Sequence, residues 1–320
     1  MARFLATRLA QSLAVLALMS AAIYGLIGLM PGDPIDLALS ADPKLTAEDI
    51  VRLRALYGLD EPWLQRYWAW VIQAVQVQFG YSRLFAQPVT SALVEPLGRT
   101  VILMGGSFFV AIVIGLPAGM IAGARPHSRL DYIVNLICFA GVAMPAFWLA
   151  LLLILAFAVN LQWFPASAVA LEPGLGPQLY HLVLPILTLG LLQAGGITRY
   201  MRAAMREALS ADHIRTARAK GLSEFGVIWR HALRNAMIPV VSILALDVGG
   251  LFSGALLVEM MFGYPGMGKL LFDAVMGNDY NLALVALLFG TGLTLAANLA
   301  ADIAYAAIDP RVTFAALSDA

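Results

Sequence analysis

The sequence has little charge for its length. Of its 320 residues only 12% are Asp, Glu, Lys or Arg, and the formal net charge is zero. Hydrophobic residues make up 61%, whereas soluble domains have about 45–50% apolar and about 25% charged residues. This excess indicates that much of the chain is surrounded by a lipid bilayer. The neutral total gives no sign of a nucleic-acid partner, and we expect none.

Cysteine and histidine are scarce as well. The single cysteine, Cys138, excludes a disulfide framework within one chain. The histidines are His127, His181, His213 and His231, and no group of Cys and His residues has the spacing of a metal site. We therefore expect no metal or cofactor in this chain. No Ser/His/Asp arrangement emerges either, which disfavours a membrane-embedded enzyme.

Long apolar segments are what the sequence does contain. A helix needs about 20 apolar residues to cross the hydrocarbon core of a bilayer. Six segments approach this length: Leu9–Met30, Thr100–Ala122, Tyr132–Asn160, Leu179–Gly196, Met237–Val258 and Leu282–Ile308. The first follows Arg3 and Arg8 and is longer than the apolar core of a signal peptide, so we expect a retained anchor. The sequence predicts an all-α integral membrane protein with six transmembrane helices.

The distribution of Lys and Arg predicts the orientation of these helices. Most of the basic residues that flank the segments lie on one side, whereas the short loops of the other side hold only Lys269. Cytoplasmic loops are enriched in Lys and Arg. We therefore expect both termini in the cytoplasm and residues 31–99 outside it.

Residues 31–99 are expected to form a helical extracytoplasmic segment. Thr46 and Asp49 have the spacing of a helix N-cap with an acidic third position, and apolar residues then repeat at helical spacing. Pro62 begins a second predicted helix whose aromatic residues suit the membrane–water boundary. The predicted division is 1–30 (first transmembrane helix), 31–99 (extracytoplasmic segment), 100–308 (core of five helices) and 309–320 (cytoplasmic tail).

A polar, arginine-rich segment covers residues 199–236, between the fourth and fifth predicted helices. We call it the basic loop. Ser210 or Asp212 is predicted to cap a short helix that ends at Gly221, and a second helix is predicted from Ser223 to Ala236. Composition alone leaves two interpretations open. The loop could bind anionic lipid headgroups and set the topology, or it could be a docking site for another protein.

Motifs along the whole chain favour docking. In the basic loop they are Asp212, Thr216-Ala217-Arg218-Ala219-Lys220-Gly221-Leu222 and His231-Ala232-Leu233-Arg234-Asn235-Ala236. Elsewhere they are Met30-Pro31-Gly32-Asp33-Pro34, Tyr57-Gly58-Leu59-Asp60-Glu61-Pro62, Phe79-Gly80-Tyr81-Ser82, Phe164-Pro165, Gly263-Tyr264-Pro265-Gly266-Met267-Gly268 and Asp279-Tyr280. With these motifs the loop resembles the EAA loop of the inner-membrane components of bacterial binding-protein-dependent ABC importers. The dipeptide/oligopeptide/nickel permease family is the most similar, including its departures from the general EAA consensus at Thr216–Arg218 and Arg234.

The resemblance implies a permease subunit in the bacterial inner membrane that moves peptides or similar small solutes. Separate ATPases, which would bind ATP and magnesium, would dock on a coupling helix. The implied docking residues are Asp212, His213, Thr216, Ala217, Arg218, Ala219, Lys220, Gly221 and Leu222. Two ATPases are implied, and the further implied partners are a second homologous permease and an extracytoplasmic substrate-binding protein. The cargo stays open among dipeptides, longer peptides, glutathione, nickel complexes and sugars.

One motif conflicts with this interpretation. Gly263–Lys269 fits the pattern G-x-x-x-x-G-K of the phosphate-binding loop of ATPases. We reject a nucleotide site because Leu270 replaces the Ser or Thr that holds magnesium, and because no predicted strand precedes the motif. The ATPase is therefore expected to be another polypeptide.

Two carboxylates lie within predicted membrane helices. An ionisable group at that depth is costly and usually faces a cavity or a partner. Asp247 is our candidate for the translocation pathway, with a structural hydrogen-bonded carboxylate as the open alternative. Asp302 lies nearer the cytoplasmic end, where we expect it to pair with interfacial groups. A secondary transporter or channel, the other possible function, often places several ionisable groups in the midplane, and this sequence does not.

Overall fold

The structure is a computed structural model and describes residues 2–28 and 61–308. The predicted helix near Thr46, the motif Met30–Pro34, most of the motif that begins at Tyr57, and the tail 309–320 lie outside the described residues. Nearly all regular structure is helical. The exception is a hairpin of two short antiparallel strands, β1 (Tyr81–Ser82) and β2 (Gln87–Pro88).

Eleven helices occur in the described residues, with two π-helical segments at Ile154–Asn160 and Val227–Ala232. The helices are α1 (Ala2–Gly28), α2 (Trp63–Val75), α3 (Val89–Ala124), α4 (Arg129–Ala143), α5 (Ala146–Leu153), α6 (Leu175–Ser210), α7 (Asp212–Ala219), α8 (Glu224–Gly226), α9 (Leu233–Met261), α10 (Met267–Met276) and α11 (Tyr280–Ile308).

Four helical stretches are long and apolar enough to cross a membrane. They are Ala6–Gly28, Val89–Ala124, Leu175–Ser210 and Tyr280–Ala300. The pair Arg129–Ala143 and Ala146–Asn160 is a fifth candidate and corresponds to the third predicted segment. The predicted segment Met237–Val258 lies within α9. Four to five candidate spans are thus present in the described residues, and the number six stays a prediction.

The third predicted segment is broken rather than continuous. The pair that forms it is bent by 110° at Met144 and Pro145. Met144 is extended, with ψ of 127°, and Pro145 has no N–H to donate. A residue before proline is pushed out of the helical region by the proline ring, so α4 ends at Ala143 and a new helix starts after Pro145.

Contacts between residues divide the chain into two units. The first holds the described residues of Met1–Ala10, Pro96–Lys269 and Gly292–Ala320, and the second those of Gln11–Glu95 and Leu270–Thr291. The division into 1–30, 31–99, 100–308 and 309–320 stays a prediction.

In the first unit, α3 packs closely on α6. A Cβ added to Gly119 would lie 2.5 Å from the Thr198 carbonyl oxygen, and one added to Gly123 would lie 2.7 Å from Met205 Cβ. Small residues at four-residue spacing allow helix backbones to approach in this way. The contact therefore holds α6, which leads into the basic loop, against a long apolar helix.

In the second unit, aromatic side chains join α1 to α2. The Tyr24 ring lies 5.5 Å from that of Tyr67 and 6.2 Å from that of Trp63, measured between centroids. The Tyr67 hydroxyl and Ser20 Oγ are 2.7 Å apart, a buried hydrogen bond. These contacts fix α2 alongside α1.

The β-hairpin packs on the start of α11, also in the second unit. Ser82 Oγ donates to Asp279 Oδ2 at 2.6 Å, and the Leu84 N–H donates to the same oxygen at 3.0 Å. Asp279 Oδ1 in turn accepts from the N–H of Leu282, within the first turn of α11. Two motifs that are distant in sequence, at Phe79–Ser82 and at Asp279–Tyr280, are therefore one structural contact.

Candidate functional site

The basic loop is helical through most of its length. α6 continues to Ser210 instead of ending near Gly196, because the residues that follow are strong helix formers. Met201 and Met205 recur at helical spacing and are fully buried. The apolar face of α6 therefore extends beyond the predicted end of its span and carries the loop.

The coupling-helix candidate is α7, Asp212–Ala219. The sequence predicts Ser210 or Asp212 as its cap, and this prediction is wrong. Ala211 occupies the N-cap position without a side-chain bond, while Ser210 Oγ donates to the Glu207 carbonyl at 2.8 Å. Asp212 is instead the first helical residue, where its negative charge is favourable to the helix dipole.

The predicted stop at Gly221 is confirmed. Gly221 has φ of +77°, a left-handed conformation. Its N–H donates to the Arg218 carbonyl at 2.9 Å, and the Leu222 N–H donates to the Ala217 carbonyl at 3.4 Å. This pair of bonds is a Schellman motif, in which glycine is preferred because it has no Cβ.

The helix predicted from Ser223 begins there. Ser223 Oγ accepts from the Gly226 N–H at 3.3 Å and caps α8. The chain then continues through the π-helical segment Val227–Ala232 into α9 instead of ending at Ala236. The basic loop is therefore connected directly to a helix of 29 residues.

One face of α7 is buried. Ile214 and Ala217 are 0% and 5% exposed and pack in an apolar cluster with Met201, Met205 and Val227. Leu222, which follows the turn, is 43% exposed. Gly221 reverses the chain direction before Leu222, so this residue no longer follows the helical register.

Two side-chain contacts stiffen the loop. Arg218 donates to both carboxylate oxygens of Glu224, at 2.8 and 3.1 Å, and bridges the turn at Gly221. Hydrogen bonding from the Arg218 guanidinium lowers the pKa of the Glu224 carboxyl below its usual value. His213 Nε2 and Asn235 Nδ2 are 2.8 Å apart, which joins α7 to the start of α9.

All but one of the predicted docking residues are exposed. Ala217 is buried under α7 and supports the helix from below. The other members are exposed: Asp212, His213, Thr216, Arg218, Ala219, Lys220, Gly221 and Leu222.

Sequence reasoning left two aromatic residues out of the docking set. Phe225 and Trp229 are 71% and 49% exposed, and their ring centroids are 5.8 Å apart. They follow the turn that Arg218 and Glu224 bridge. Exposed aromatic side chains are enriched in protein interfaces. Two aromatic residues in an otherwise basic and polar loop are a sequence feature from which both could have been predicted as docking residues.

A buried ion pair fastens the base of the loop to α4. Arg202 donates from Nε to Asp131 Oδ1 at 2.5 Å and from its terminal nitrogen to Oδ2 at 2.8 Å. The Asp131 side chain is only 3% exposed. It also accepts from the His127 N–H and from Asn135 Nδ2. Bidentate Arg–carboxylate pairs fix geometry as well as adding energy.

The remaining candidate residues lie apart from the loop. Asp247 is in α9 with a partly buried side chain, and its role in the pathway stays a prediction. Asp302 pairs with Arg8 Nε at 3.2 Å. This contact agrees with the structural role that was predicted for Asp302. No group of three His, Cys, Asp or Glu residues in the described part of the chain has the geometry of a metal site.

Comparison with known families decides what this arrangement belongs to. A family model described as the binding-protein-dependent transport system inner membrane component matches residues 115–314. A second model, for the N-terminal part of such membrane components, matches residues 1–103. The chain belongs to this family of ABC importer permeases. This permease is accordingly a multi-pass protein of the inner membrane.

Curated relatives match this permease over nearly its whole length. A protein named as a peptide permease in Brucella suis biovar 1 is 40% identical over 98% of this chain and 99% of its own. The oligopeptide transport system permease AppB of Bacillus subtilis is 36% identical over 98% of this chain and all of its own. The glutathione transport system permease GsiC of Escherichia coli K12 is 35% identical, again over 98% of this chain and all of its own.

A solved structure supports the fold. The crystal structure of an amino acid ABC transporter with histidines superposes with a TM-score of 0.53 and 13% sequence identity. The match covers 68% of this chain and 94% of that one. At this identity the likeness concerns the fold alone.

Proposed function

We propose that this permease carries peptides or similar small solutes into the cell, and that separate ATPases drive it by docking on α7 and the turn that follows. The observation that supports this proposal most is the exposed face of α7, which the contact between Arg218 and Glu224 holds in place. Its opposite face is anchored in an apolar cluster with α6 and the π-helical segment. A short helix that is fixed on one face and exposed on the other can receive a push without unfolding.

The docking surface combines charge with aromatic area. Its basic residues include Arg215, Arg218 and Lys220, and Phe225 and Trp229 adjoin them. Aromatic and Arg side chains dominate the binding energy of many protein interfaces. A groove on an ATPase with apolar walls and acidic edges fits this surface.

The push would reach the membrane through two routes. The buried face of α7 contacts Met201 and Met205 of α6, and His213 is bonded to Asn235 at the start of α9. When two ATPases close on ATP, the loops of two permeases would approach each other. α6 and α9 would then move as rigid bodies and change the side on which the pathway opens.

The assembly would contain one further permease of similar sequence, two ATPases and an extracytoplasmic substrate-binding protein. The six apolar segments support six membrane helices, and the excess of Lys and Arg in the loops on one side supports cytoplasmic termini. ATP and magnesium would bind in the ATPases, and this chain would provide neither a catalytic site nor a cofactor site. The relatives named for peptides and glutathione support a peptide-like cargo.

Asp247 is proposed to face the translocation pathway. A carboxylate within a membrane helix is costly and is usually kept for a cavity or a partner. We expect Asp247→Asn to reduce uptake and to change its pH profile, measured in vesicles that contain the assembled transporter. Unchanged transport with an unchanged pH profile would remove this residue from the pathway.

The energy source tests the proposal as a whole. We expect uptake into vesicles with the assembled transporter to require ATP on the side of the basic loop and to persist when ion gradients are collapsed. Uptake that follows an ion gradient and ignores ATP would instead establish the alternative, a secondary transporter or channel.

A further inference from the structure

The segment rejected as a nucleotide site binds a carboxyl group of the protein itself. Gly263–Lys269 leads into α10, and the side chain of Glu259, at the end of α9, is 0% exposed. A carboxylate removed from water needs hydrogen-bond donors to offset the lost hydration. The donors that this one uses connect three helices.

Glu259 accepts three hydrogen bonds. Thr100 Oγ1, on α3, donates to Oε1 at 2.5 Å. The N–H groups of Gly268 and Lys269, in the first turn of α10, donate to Oε2 at 2.7 and 3.1 Å. The first N–H groups of a helix have no partner within it, and the helix dipole favours negative charge there. The carboxylate thus occupies the position that a phosphate takes in a nucleotide site.

Thr100 is used twice in this arrangement. Its Oγ1 also accepts from the Met267 N–H at 2.8 Å, so it satisfies the first residue of α10 as well. Beside it, the Tyr264 hydroxyl donates to the Arg99 carbonyl at 3.1 Å. The end of α9, the start of α10 and α3 are therefore fastened at one point.

The glycines of the motif make room for the carboxylate. A Cβ on Gly266 would overlap the Glu259 carboxylate. A Cβ on Gly268 would lie 2.5 Å from Leu256 Cα and 3.0 Å from Glu259 Oε2. Gly263, the first glycine of the pattern, instead has φ of +65° and nothing within 4 Å of an added Cβ. Gly266 and Gly268 are therefore the glycines that the close approach of Glu259 requires.

We propose that Glu259 is a positioning residue for transport, which clamps the far end of α9 so that movement of the basic loop is transmitted along it. α9 has 29 residues, about 40 Å at the usual helical rise. His213 and Asn235 join one end to α7, and Glu259 fastens the other. A helix that is free at one end can shift as a whole when its other end is displaced. A helix that is fixed at that end must instead rotate or bend, and so moves the helices packed against it. The inference rests on the proposed docking of ATPases at α7.

Glu259→Ala in the assembled transporter tests the clamp. In proteoliposomes we expect ATPases to remain bound and to hydrolyse ATP, while solute moved per ATP falls at least about tenfold, because one hydrogen bond to a charged group is worth about that factor and Glu259 accepts three. The matched control is Glu172→Ala, because Glu172 is exposed and distant in sequence. It should leave the ratio unchanged.

Chemical rescue distinguishes positioning from general stability. Acetate or formate should enter the vacated site in Glu259→Ala and raise the solute moved per ATP in a concentration-dependent way. Glu259→Gln should lose less than Glu259→Ala and show no rescue, because the amide fills the site and can keep its oxygen toward the Gly268 and Lys269 N–H groups with its NH2 toward Thr100 Oγ1. Gly266→Ala, which keeps the carboxyl group but displaces it, should be impaired as Glu259→Ala is, and it serves where Glu259→Ala fails to assemble.

The outcomes separate this inference from the proposed function. If these variants lower the yield or thermal stability of the complex but the assembled fraction moves as much solute per ATP as the wild type, the clamp is refuted. If the wild-type permease binds no ATPase, the proposed docking fails first. Loss of the ratio with ATPases still bound, restored by acetate, supports the clamp.

Discussion

At the scale of single residues, Gly221 provides the sharpest test of the coupling helix. An added Cβ would contact nothing within 4 Å, so only the backbone restricts this position. A left-handed conformation costs L-residues about 1–2 kcal/mol, and β-branched residues tolerate it least. We expect Gly221→Val to reduce the ATPase retained on the affinity-purified permease about tenfold.

The control for this variant is Gly221→Asn, because asparagine visits the left-handed region more readily than other residues. It should retain more ATPase than Gly221→Val, with equal amounts of both variants in the membrane. Equal retention in the two variants would show that the turn at Gly221 does not shape the docking surface.

The sequence predicted the residues whose roles depend on neighbouring positions, but not those whose roles depend on distant ones. The turn at Gly221 and the cap at Ser223 depend on a few neighbouring residues, and both were predicted. Glu259 was not, because its partner Thr100 is 159 positions away in sequence. The exposure of Leu222 depends on a change of direction that helical periodicity does not describe.

At the scale of elements, the Asp131–Arg202 pair holds α4 against α6. The pair is only partly buried, because Arg202 is 21% exposed and Asp131 is 3% exposed. Leaving the Asp131 carboxylate without this partner costs about 1–3 kcal/mol. We expect Arg202→Met to destabilise the permease by about this amount, measured by unfolding in detergent. Arg206→Met, an exposed position on the same helix, is the control and should change stability little.

A double variant makes this prediction stricter. Asp131→Asn combined with Arg202→Met removes both charges and should recover part of the stability that Arg202→Met alone loses. Losses that simply add would mean that the two side chains are not coupled.

α2 is predicted to lie at the boundary of the membrane. It has 13 residues, about 20 Å, which is too short to cross a hydrocarbon core of about 30 Å. Leu64, Trp68 and Ile72 form an exposed apolar stripe on it, 57%, 56% and 59% exposed. Its aromatic face is bound to α1 through Ser20 and Tyr24.

Spin labels can verify this position, because replacing Cys138 with alanine removes the single cysteine. A label at Ile72 should be relaxed mainly by oxygen, which concentrates in lipid, and a label at Gln73 mainly by a water-soluble nickel complex. Equal access of the nickel complex to both positions would place α2 in water.

Element existence was easier to predict than element ends. Apolar length located the helices at Ala6–Gly28, Val89–Ala124, Leu175–Ser210 and Tyr280–Ala300. The extension of α6 to Ser210 was missed because its surface is basic while its buried face is supplied by Met201 and Met205. Pro145 marks the position of the 110° bend, but apolar length alone does not give its angle.

At the scale of the whole molecule, motifs spread over the chain predicted the family, and the family was confirmed. The orientation is predicted from the asymmetry of Lys and Arg, and the docking of ATPases from the exposed surface of the basic loop. Partners and cargo themselves are molecules outside this chain, so the chain alone does not identify them.

Site-specific cross-linking from Lys220, directly after α7, tests the central claim most directly. With Cys138 replaced by alanine, a cysteine at Lys220 would carry a short photoactivated cross-linker in membranes of cells that express the whole transport system. We predict an adduct with an ATPase subunit whose yield changes with ATP, and no such adduct from a cysteine at Glu172. An adduct from Glu172 but not from Lys220, or labelling of Lys220→Cys by an impermeant reagent added outside intact cells, would contradict the account.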